Sequence, residues 1–229
     1  MAVDFRDEAP AILKDYLIYK QTIKNMSKKT VDEYFIDLRT FFRFLKVMRG
    51  LVPDGTEFDE IKIDDVDLDL IKTVNLELAY DYMNFLYRDR NNKSASRARK
   101  CSSLKGFFKY ITNNKHLLDT NPVEQLESPK NKKALPKYLT LEQSIELLNA
   151  VDGNNKQRDY CILTLFLNCG LRVSEMAGLN YNDIHSDGTM RVVGKGNKER
   201  IVYLNSACID AYNAVSYTHL RAHETLSDL

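Results

Sequence analysis

The chain has 229 residues, of which 44% are apolar, and this is enough to bury two cores of moderate size. Its formal net charge of +1 excludes neither nucleic acid nor protein as a partner, because the charges are segregated along the sequence. No apolar run approaches the roughly 20 residues that span a bilayer, and Asp4, Asp7 and Glu8 stand where a targeting peptide carries bases. We therefore expect a soluble, cytoplasmic protein with no membrane partner.

The four cysteines have neither the spacing nor the neighbours of a metal site or a disulfide framework. Cys101, Cys161, Cys169 and Cys208 form no CxxC pair and have no histidine cluster nearby. We expect buried thiols in a reducing compartment. The sequence predicts neither a metal ion nor another cofactor.

Two blocks of opposite charge follow each other in the first half of the chain. Residues 54–69 contain eight acids and a single base, Lys62. Residues 88–137 contain thirteen Lys or Arg residues against four acids, a net charge of +9. Such a basic stretch is a candidate phosphate-binding surface, and a solvated helical face followed by a flexible linker is the alternative.

Apolar spacing predicts four helices before the middle of the chain. The clearest covers residues 27–46, where Ser27 can cap the helix and apolar residues recur at helical spacing. Residues 11–19, 76–87 and 96–111 give the other three. Together they predict a small helical domain over residues 1–126.

Two of these helices carry candidate DNA-binding residues. In the first turn of the 27–46 helix, Lys28, Lys29 and Thr30 stand beside free backbone amides, and cations and amides together can hold a phosphate. An ordinary capped helix start is the alternative. In the 96–111 helix, the apolar stripe leaves the basic residues for the outside, and three of them complete the predicted DNA-binding set: Arg97, Arg99 and Lys100.

A linker and a second domain follow the helical domain. Residues 121–137 carry three prolines and several lysines without apolar periodicity, and we place the linker at residues 127–137. Thr140 opens a new helix, because Gln143 follows three positions later in a capping-box pattern.

The rest of the second domain is predicted to combine helices with a β-hairpin. Residues 159–168 form an apolar helix that Gly170 can end, and residues 173–179 form a short helix directly after it. Two β-type runs, residues 190–193 and 199–204, are joined by a tip rich in glycine and lysine.

Two features of this domain suit phosphoryl transfer. Arg172 stands at the start of a helix with Glu175 three residues later, so that the guanidinium can hold two phosphate oxygens while the acid orients it. A structural Arg–Glu pair is the alternative. Lys195 lies between two glycines at the hairpin tip, where its ammonium can donate a proton to a leaving oxygen, and a solvated turn is the alternative.

Both domains resemble one known family. Three segments of the second domain resemble, in sequence and in order, those of Xer-type tyrosine recombinases of the phage integrase family: residues 170–179, 183–184 and 192–200. A pattern in the first domain resembles the core-binding domain of that family: Ser27, Thr30, Tyr34, Asp37-Leu38-Arg39 and Phe41-Phe42. The resemblance implies a mainly α fold, with a helical SAM-like core-binding domain and the α-rich, hairpin-containing first part of a recombinase catalytic domain.

The resemblance also implies a chemistry. In this family a tyrosine attacks the scissile phosphate of double-stranded DNA, without metal or nucleotide cofactor, and the bond energy is kept in a covalent intermediate. By motif, Arg172 would be the first of two arginines that clamp the phosphate, Lys195 the general acid for the 5′-oxygen, and Glu175 the supporting acid. Removing one such electrostatic contact costs on the order of a hundred- to a thousandfold in rate.

Part of the family pattern is missing from the sequence. None of the four histidines has an arginine three positions later, so the second family motif, His-x-x-Arg, does not occur. Tyr217 follows Lys195 far more closely than the nucleophile does in the family, and we expect no nucleophile there. We therefore expect residues 138–214 to be a partial catalytic domain and residues 215–229 to be a non-native tail.

These observations leave three functional hypotheses. The first is a recombinase fragment that binds DNA without strand exchange and is monomeric, although full-length relatives form tetramers on DNA. The second is a naturally short DNA-binding regulator or competitor of a full-length recombinase. The third is a helical regulator that resembles recombinases in fold only.

Overall fold

The computed structural model describes residues 5–130 and 135–227 of the chain. It separates into two compact units, Met1–Ala134 and Leu135–Leu229, and each has its own apolar core. The described residues are mainly helical and include a two-stranded antiparallel sheet, so the predicted fold class is confirmed. None of the described helices is both long and apolar enough to cross a membrane.

The described part of the amino-terminal unit contains helices joined by loops. Its α-helices are α1 (Phe5–Glu8), α2 (Ala11–Thr22), α3 (Lys28–Met48), α4 (Leu68–Lys72), α5 (Leu76–Arg88) and α6 (Ser94–Lys109). A 3-10 turn, Phe58–Glu60, precedes α4, and α6 widens into a π-helical turn at Tyr110–Asn114. The four predicted helices correspond to α2, α3, α5 and α6, with ends that differ by at most three residues; α1 and α4 were not predicted.

Helix α3 forms the centre of this unit. It begins where the Ser27 side chain accepts a hydrogen bond from the Thr30 backbone N–H at 3.4 Å, as its sequence predicts. Its apolar face is fully buried and packs aromatic rings edge to face against α5 and α6, as in the pairs Phe41–Tyr82 and Phe42–Phe107. These ring contacts give the unit a rigid scaffold for the polar residues on its surface.

A buried carboxylate also holds α3 to α6. The Asp37 side chain accepts hydrogen bonds from Arg99 at 2.7 Å, from Lys100 at 3.0 Å and from Ser103 at 2.8 Å. Removing one partner of a buried pair of this kind typically costs about 3–5 kcal/mol, because the other charge stays buried without compensation. The network therefore fixes how the basic side of α6 faces α3.

The prediction that Lys100 lies on the outside is wrong. Lys100 is only 8% exposed, and its ammonium points to Asp37 on the neighbouring helix. The apolar pattern of α6 predicts that all of its cations face solvent. It cannot indicate the acid that pairs with Lys100, because that acid is more than sixty positions away in the sequence. A buried cation needs such a partner, and only the fold supplies it.

The carboxyl-terminal unit combines helices with a hairpin. Its elements are α7 (Leu141–Asn149), α8 (Lys156–Cys169), α9 (Val173–Ala177), a 3-10 turn (Tyr181–Asp183), β1 (Thr189–Val193), β2 (Glu199–Tyr203) and α10 (Ser206–Ser227). The predicted capping box is confirmed, since Thr140 and Gln143 exchange two hydrogen bonds at the start of α7. Helix α10 was not predicted.

The hairpin packs one of its faces into the core. Strands β1 and β2 pair in antiparallel register from Thr189 opposite Tyr203 to Val193 opposite Glu199. Met190 and Val192 of β1 point inward and join the core that α8 and α10 supply. In this register Arg200 lies opposite Val192, on the same face of the hairpin, whereas Arg191 lies on the opposite face.

Candidate functional site

Glu175 is the centre of a polar cluster in the carboxyl-terminal unit. Its side chain is only 1% exposed. One carboxylate oxygen accepts from Arg172 Nη1 at 2.7 Å and Arg200 Nη1 at 2.8 Å; the other accepts from the Arg172 backbone N–H and Arg200 Nη2, both at 2.9 Å. Four donors match the roughly four lone-pair positions of a carboxylate, so the buried charge is fully satisfied.

Local sequence explains how Glu175 reaches Arg172. Gly170 adopts the left-handed conformation with φ of 59° and ends α8, as predicted. Arg172 is then extended and α9 begins at Val173, so that Glu175 at the third helical position folds back onto the Arg172 backbone N–H. The predicted Arg172–Glu175 contact is confirmed, and the Arg172 side chain remains 72% exposed.

Arg200 connects the hairpin to this cluster. It lies on β2 and makes two parallel hydrogen bonds to Glu175, a bidentate geometry that resists rotation. Gly194 permits the approach, because a Cβ there would lie 3.2 Å from a Glu175 oxygen. Lys195, the next residue, lies exposed in the turn after β1. Arg200 thus anchors the hairpin, which carries Lys195 at its turn, to Glu175, the acid that also contacts Arg172.

A second acid anchors the other strand of the hairpin in the same way. Asp183 accepts from the Asn180 backbone N–H at 2.9 Å and from Arg191 of β1 at 2.7 and 3.0 Å. Sequence reasoning assigned no role to Arg191 or Arg200. Arg200 pairs with Glu175 of α9 and Arg191 with Asp183 of the 3-10 turn, and only the fold brings each arginine to its acid.

The pKa values follow from these contacts. Hydrogen bonds, first from Arg200 and then from the Arg172 backbone, hold the pKa of Glu175 far below its ordinary range. The pKa of Asp183 is lowered chiefly by the Asn180 backbone N–H and then by Arg191. Both carboxylates are therefore ionised at neutral pH. Because Arg172 and Arg200 together outweigh Glu175, the cluster keeps one net positive charge.

The predicted DNA-binding residues of the amino-terminal unit do not all lie together. Lys29, Thr30 and Arg99 line one cavity of about 320 Å³ between α3 and α6. Lys28 is exposed at the start of α3 but does not line that cavity. Arg97 lies over the Tyr87 ring and donates to the Asn92 carbonyl, so its guanidinium is partly occupied.

Some of the remaining predicted features lie outside the residues that the structure describes. Tyr217 belongs to α10, but its side chain lies outside the described residues. So do residues 131–134 of the predicted linker and the last two residues of the predicted tail. Within the described part of the chain, no group of three or more His, Cys, Asp or Glu side chains is arranged to hold a metal ion.

Comparison with known proteins identifies the family. The profile described as "Phage integrase, N-terminal SAM-like domain" matches residues 13–115, and that described as "Phage integrase family" matches residues 137–227. The chain belongs to the phage integrase family of tyrosine recombinases. The resemblance stated from the sequence is thereby confirmed.

Individual relatives are of the Xer type. The chain is 48% identical over 219 residues to "Tyrosine recombinase XerC" of Caldanaerobacter subterraneus subsp. tengcongensis, a match covering 96% of this chain and 61% of that relative. It is 34% identical over 206 residues to the XerC of Myxococcus xanthus, covering 89% and 62% respectively. The chain thus spans somewhat less than two thirds of the length of these curated relatives.

Solved recombinase structures share the fold. The XerH site-specific recombinase in a post-cleavage complex with palindromic difH substrate has a TM-score of 0.60 at 18% identity, covering 87% of this chain and 54% of that one. A lambda integrase dimer bound to a COC′ core site has a TM-score of 0.56 at 18% identity, covering 83% and 62%. At these identities the likeness is one of fold.

The Glu175 cluster predicts a pH dependence of stability. Because the pKa of Glu175 is lowered by folding, the unfolded state binds more protons once the pH approaches the ordinary glutamate pKa of about 4.3. We expect wild type to keep the full contribution of Glu175 above about pH 5.5 and to lose it progressively at lower pH. In Glu175→Gln the stability is expected to be lower at neutral pH and its decline towards pH 3 shallower.

Amide hydrogen exchange of α8 at a series of pH values, corrected for intrinsic exchange, reports the stability of this unit. Glu146→Gln, which changes an exposed acid on α7, serves as the matched control and should keep the wild-type slope. Equal slopes in wild type and Glu175→Gln would show that the Glu175 charge does not stabilise the unit.

Proposed function

We propose that this chain binds double-stranded DNA and positions a phosphate for cleavage, as part of a recombinase that performs site-specific cleavage and rejoining through a phosphotyrosine intermediate. The observation that carries the proposal is the Glu175 cluster. It holds the exposed Arg172 side chain in a fixed position and anchors the hairpin that bears Lys195. The 48% identity to a XerC recombinase supports the same chemistry.

Arg172 would clamp the phosphate. Glu175 occupies Nη1 of its guanidinium, and the exposed remainder of the fork can donate two hydrogen bonds to non-bridging oxygens. A donor held in place before the reaction stabilises charge that develops in the transition state without a cost of reorganisation. Glu175 itself is buried, so it acts on the reaction by holding Arg172 and the hairpin.

Lys195 would supply the proton for the leaving 5′-oxygen. Its position in an exposed turn lets the ammonium approach a bound duplex, and a flexible lysine stem allows it to follow the leaving group. The anchored strands behind it, fixed through Arg191 and Arg200, limit where that turn can move.

The amino-terminal unit would supply affinity for the DNA backbone. Lys28, Lys29, Thr30, Arg97 and Arg99 are the proposed contacts, and Lys100 is no longer among them because its charge is used inside the protein. Contacts to phosphates carry no sequence information, but they set register and affinity.

We further propose that the chain acts as a monomer in the cytoplasm and does not itself complete strand exchange. The 229 residues contain no His-x-x-Arg sequence, which supports the last of these points.

The salt dependence of duplex binding should report the number of phosphate contacts that the proposed residues make. Each phosphate contact contributes about 0.9 to the slope of log affinity against log salt, so Lys28→Ala with Lys29→Ala should lower the slope by about 2 and weaken binding at low salt. Fluorescence anisotropy with a labelled duplex over a salt series measures this. Lys62→Ala with Lys72→Ala, which removes one lysine inside the acidic block and one just after it, is the matched control and should leave the slope near that of wild type. Equal effects of the two double variants would refute the surface assignment.

Covalent attachment to DNA separates binding from cleavage. A duplex carrying a nick next to the scissile position traps the phosphotyrosine link formed by a complete recombinase. We expect this chain to bind the substrate and to give no protein–DNA adduct on a denaturing gel. An adduct that disappears in Tyr217→Phe would contradict the proposal and would identify Tyr217 as a nucleophile.

A further inference from the structure

Arg99 is shared between two carboxylates on α3. Its Nη1 atom lies 2.8 Å from Glu33 Oε2 and 2.7 Å from Asp37 Oδ2. Glu33 and Asp37 are one helical turn apart, so both acids face the same guanidinium. An arginine proposed to bind DNA is therefore paired with two acids of its own protein.

The two acids differ in how firmly they are held. Asp37 is buried and also accepts from Lys100 and Ser103, so it has no freedom to leave. The Glu33 side chain is 48% exposed, and its carboxylate forms an ion pair with Arg99. Asp37 is thus a fixed anchor, whereas Glu33 can turn into solvent.

A cavity opens beside this pair, and most of its exposed lining is apolar. Glu33 and Arg99 line the cavity of about 320 Å³ together with Lys29, Thr30 and Ser102. An anion entering here would approach Arg99 on a side that Lys29 also lines, while the Ser102 hydroxyl already donates to the Ala98 carbonyl. The Glu33 carboxylate opposes it, because like charges at such distances repel, and the Asp37 carboxylate, which also lines the cavity, opposes it as well.

We propose that Glu33 is an internal competitor for a nucleic-acid phosphate: it pairs with Arg99 in the DNA-free protein, and a backbone phosphate replaces it while Asp37 keeps the guanidinium in place. This rests on the proposed DNA-binding function and adds to it a residue that limits affinity. No covalent step is involved, since one charge-assisted pair is exchanged for another.

The exchange is energetically feasible because the Glu33 and Arg99 side chains are each about half exposed. Exposed ion pairs contribute little, since water screens them and two long side chains lose freedom. Replacing Glu33 by Gln removes the competition and the repulsion without shortening the side chain. We expect Glu33→Gln to bind duplex DNA about two- to fivefold more tightly than wild type at low salt.

The experiment is a double-mutant cycle read by fluorescence anisotropy with one labelled duplex. It uses the full chain as wild type, Glu33→Gln, Arg99→Gln and the double variant, with circular dichroism to confirm equal helicity. Asp81→Asn is the matched control, because it removes one exposed negative charge from α5 of the same unit. We expect a gain for Glu33→Gln, a much smaller gain for Asp81→Asn, and a gain from Glu33→Gln no larger than that of Asp81→Asn when Arg99 is already Gln.

Each other outcome overturns the proposal in a recognisable way. Equal gains for Glu33→Gln and Asp81→Asn would mean that net charge alone sets affinity. A gain that persists in the Arg99→Gln background would mean that Glu33 acts elsewhere. If wild type does not bind duplex even at low salt, the proposed DNA-binding function fails, and this inference fails with it.

Discussion

The carboxylate of Glu175 is the interaction on which the carboxyl-terminal site depends. It is buried, so its charge must be compensated inside the protein, and the compensation comes from one arginine beside it in sequence and one from the hairpin. This requirement fixes Arg172 at the start of α9 and draws β2 against it. A flexible surface loop with the same residues would carry the same charges without a defined geometry.

The two units use one physical device. In each, a buried acid accepts hydrogen bonds from cations on a neighbouring element, as Asp37 does from Arg99 and Lys100 and as Asp183 does from Arg191. A fully satisfied acid holds the near side of a guanidinium and leaves the remaining donors facing outward. Donors held in advance lose less freedom when they bind a phosphate, and this supports the proposed contacts to a DNA backbone.

Sequence reasoning succeeded where the signal is local and failed where it is not. The cap at Ser27, the capping box at Thr140 and the left-handed Gly170 each depend on residues within a few positions, so they were predicted. The burial of Lys100 and the role of Arg200 depend on acids that are 63 and 25 positions away, and no periodicity encodes such pairs. The Arg172–Glu175 contact was predicted because its members are one turn apart, whereas the acid's second partner became visible only in the fold.

The most direct test of the central claim is hydrogen exchange of the hairpin in Arg200→Gln. If Arg200 holds β1 and β2 against Glu175, the backbone amides of both strands should exchange faster than in wild type, while those of α3 in the other unit stay unchanged. Arg158→Gln, an exposed arginine of α8, provides the comparison for loss of one positive charge. Unchanged exchange in the hairpin of Arg200→Gln would contradict the claim that the Glu175 cluster positions the strands carrying Lys195.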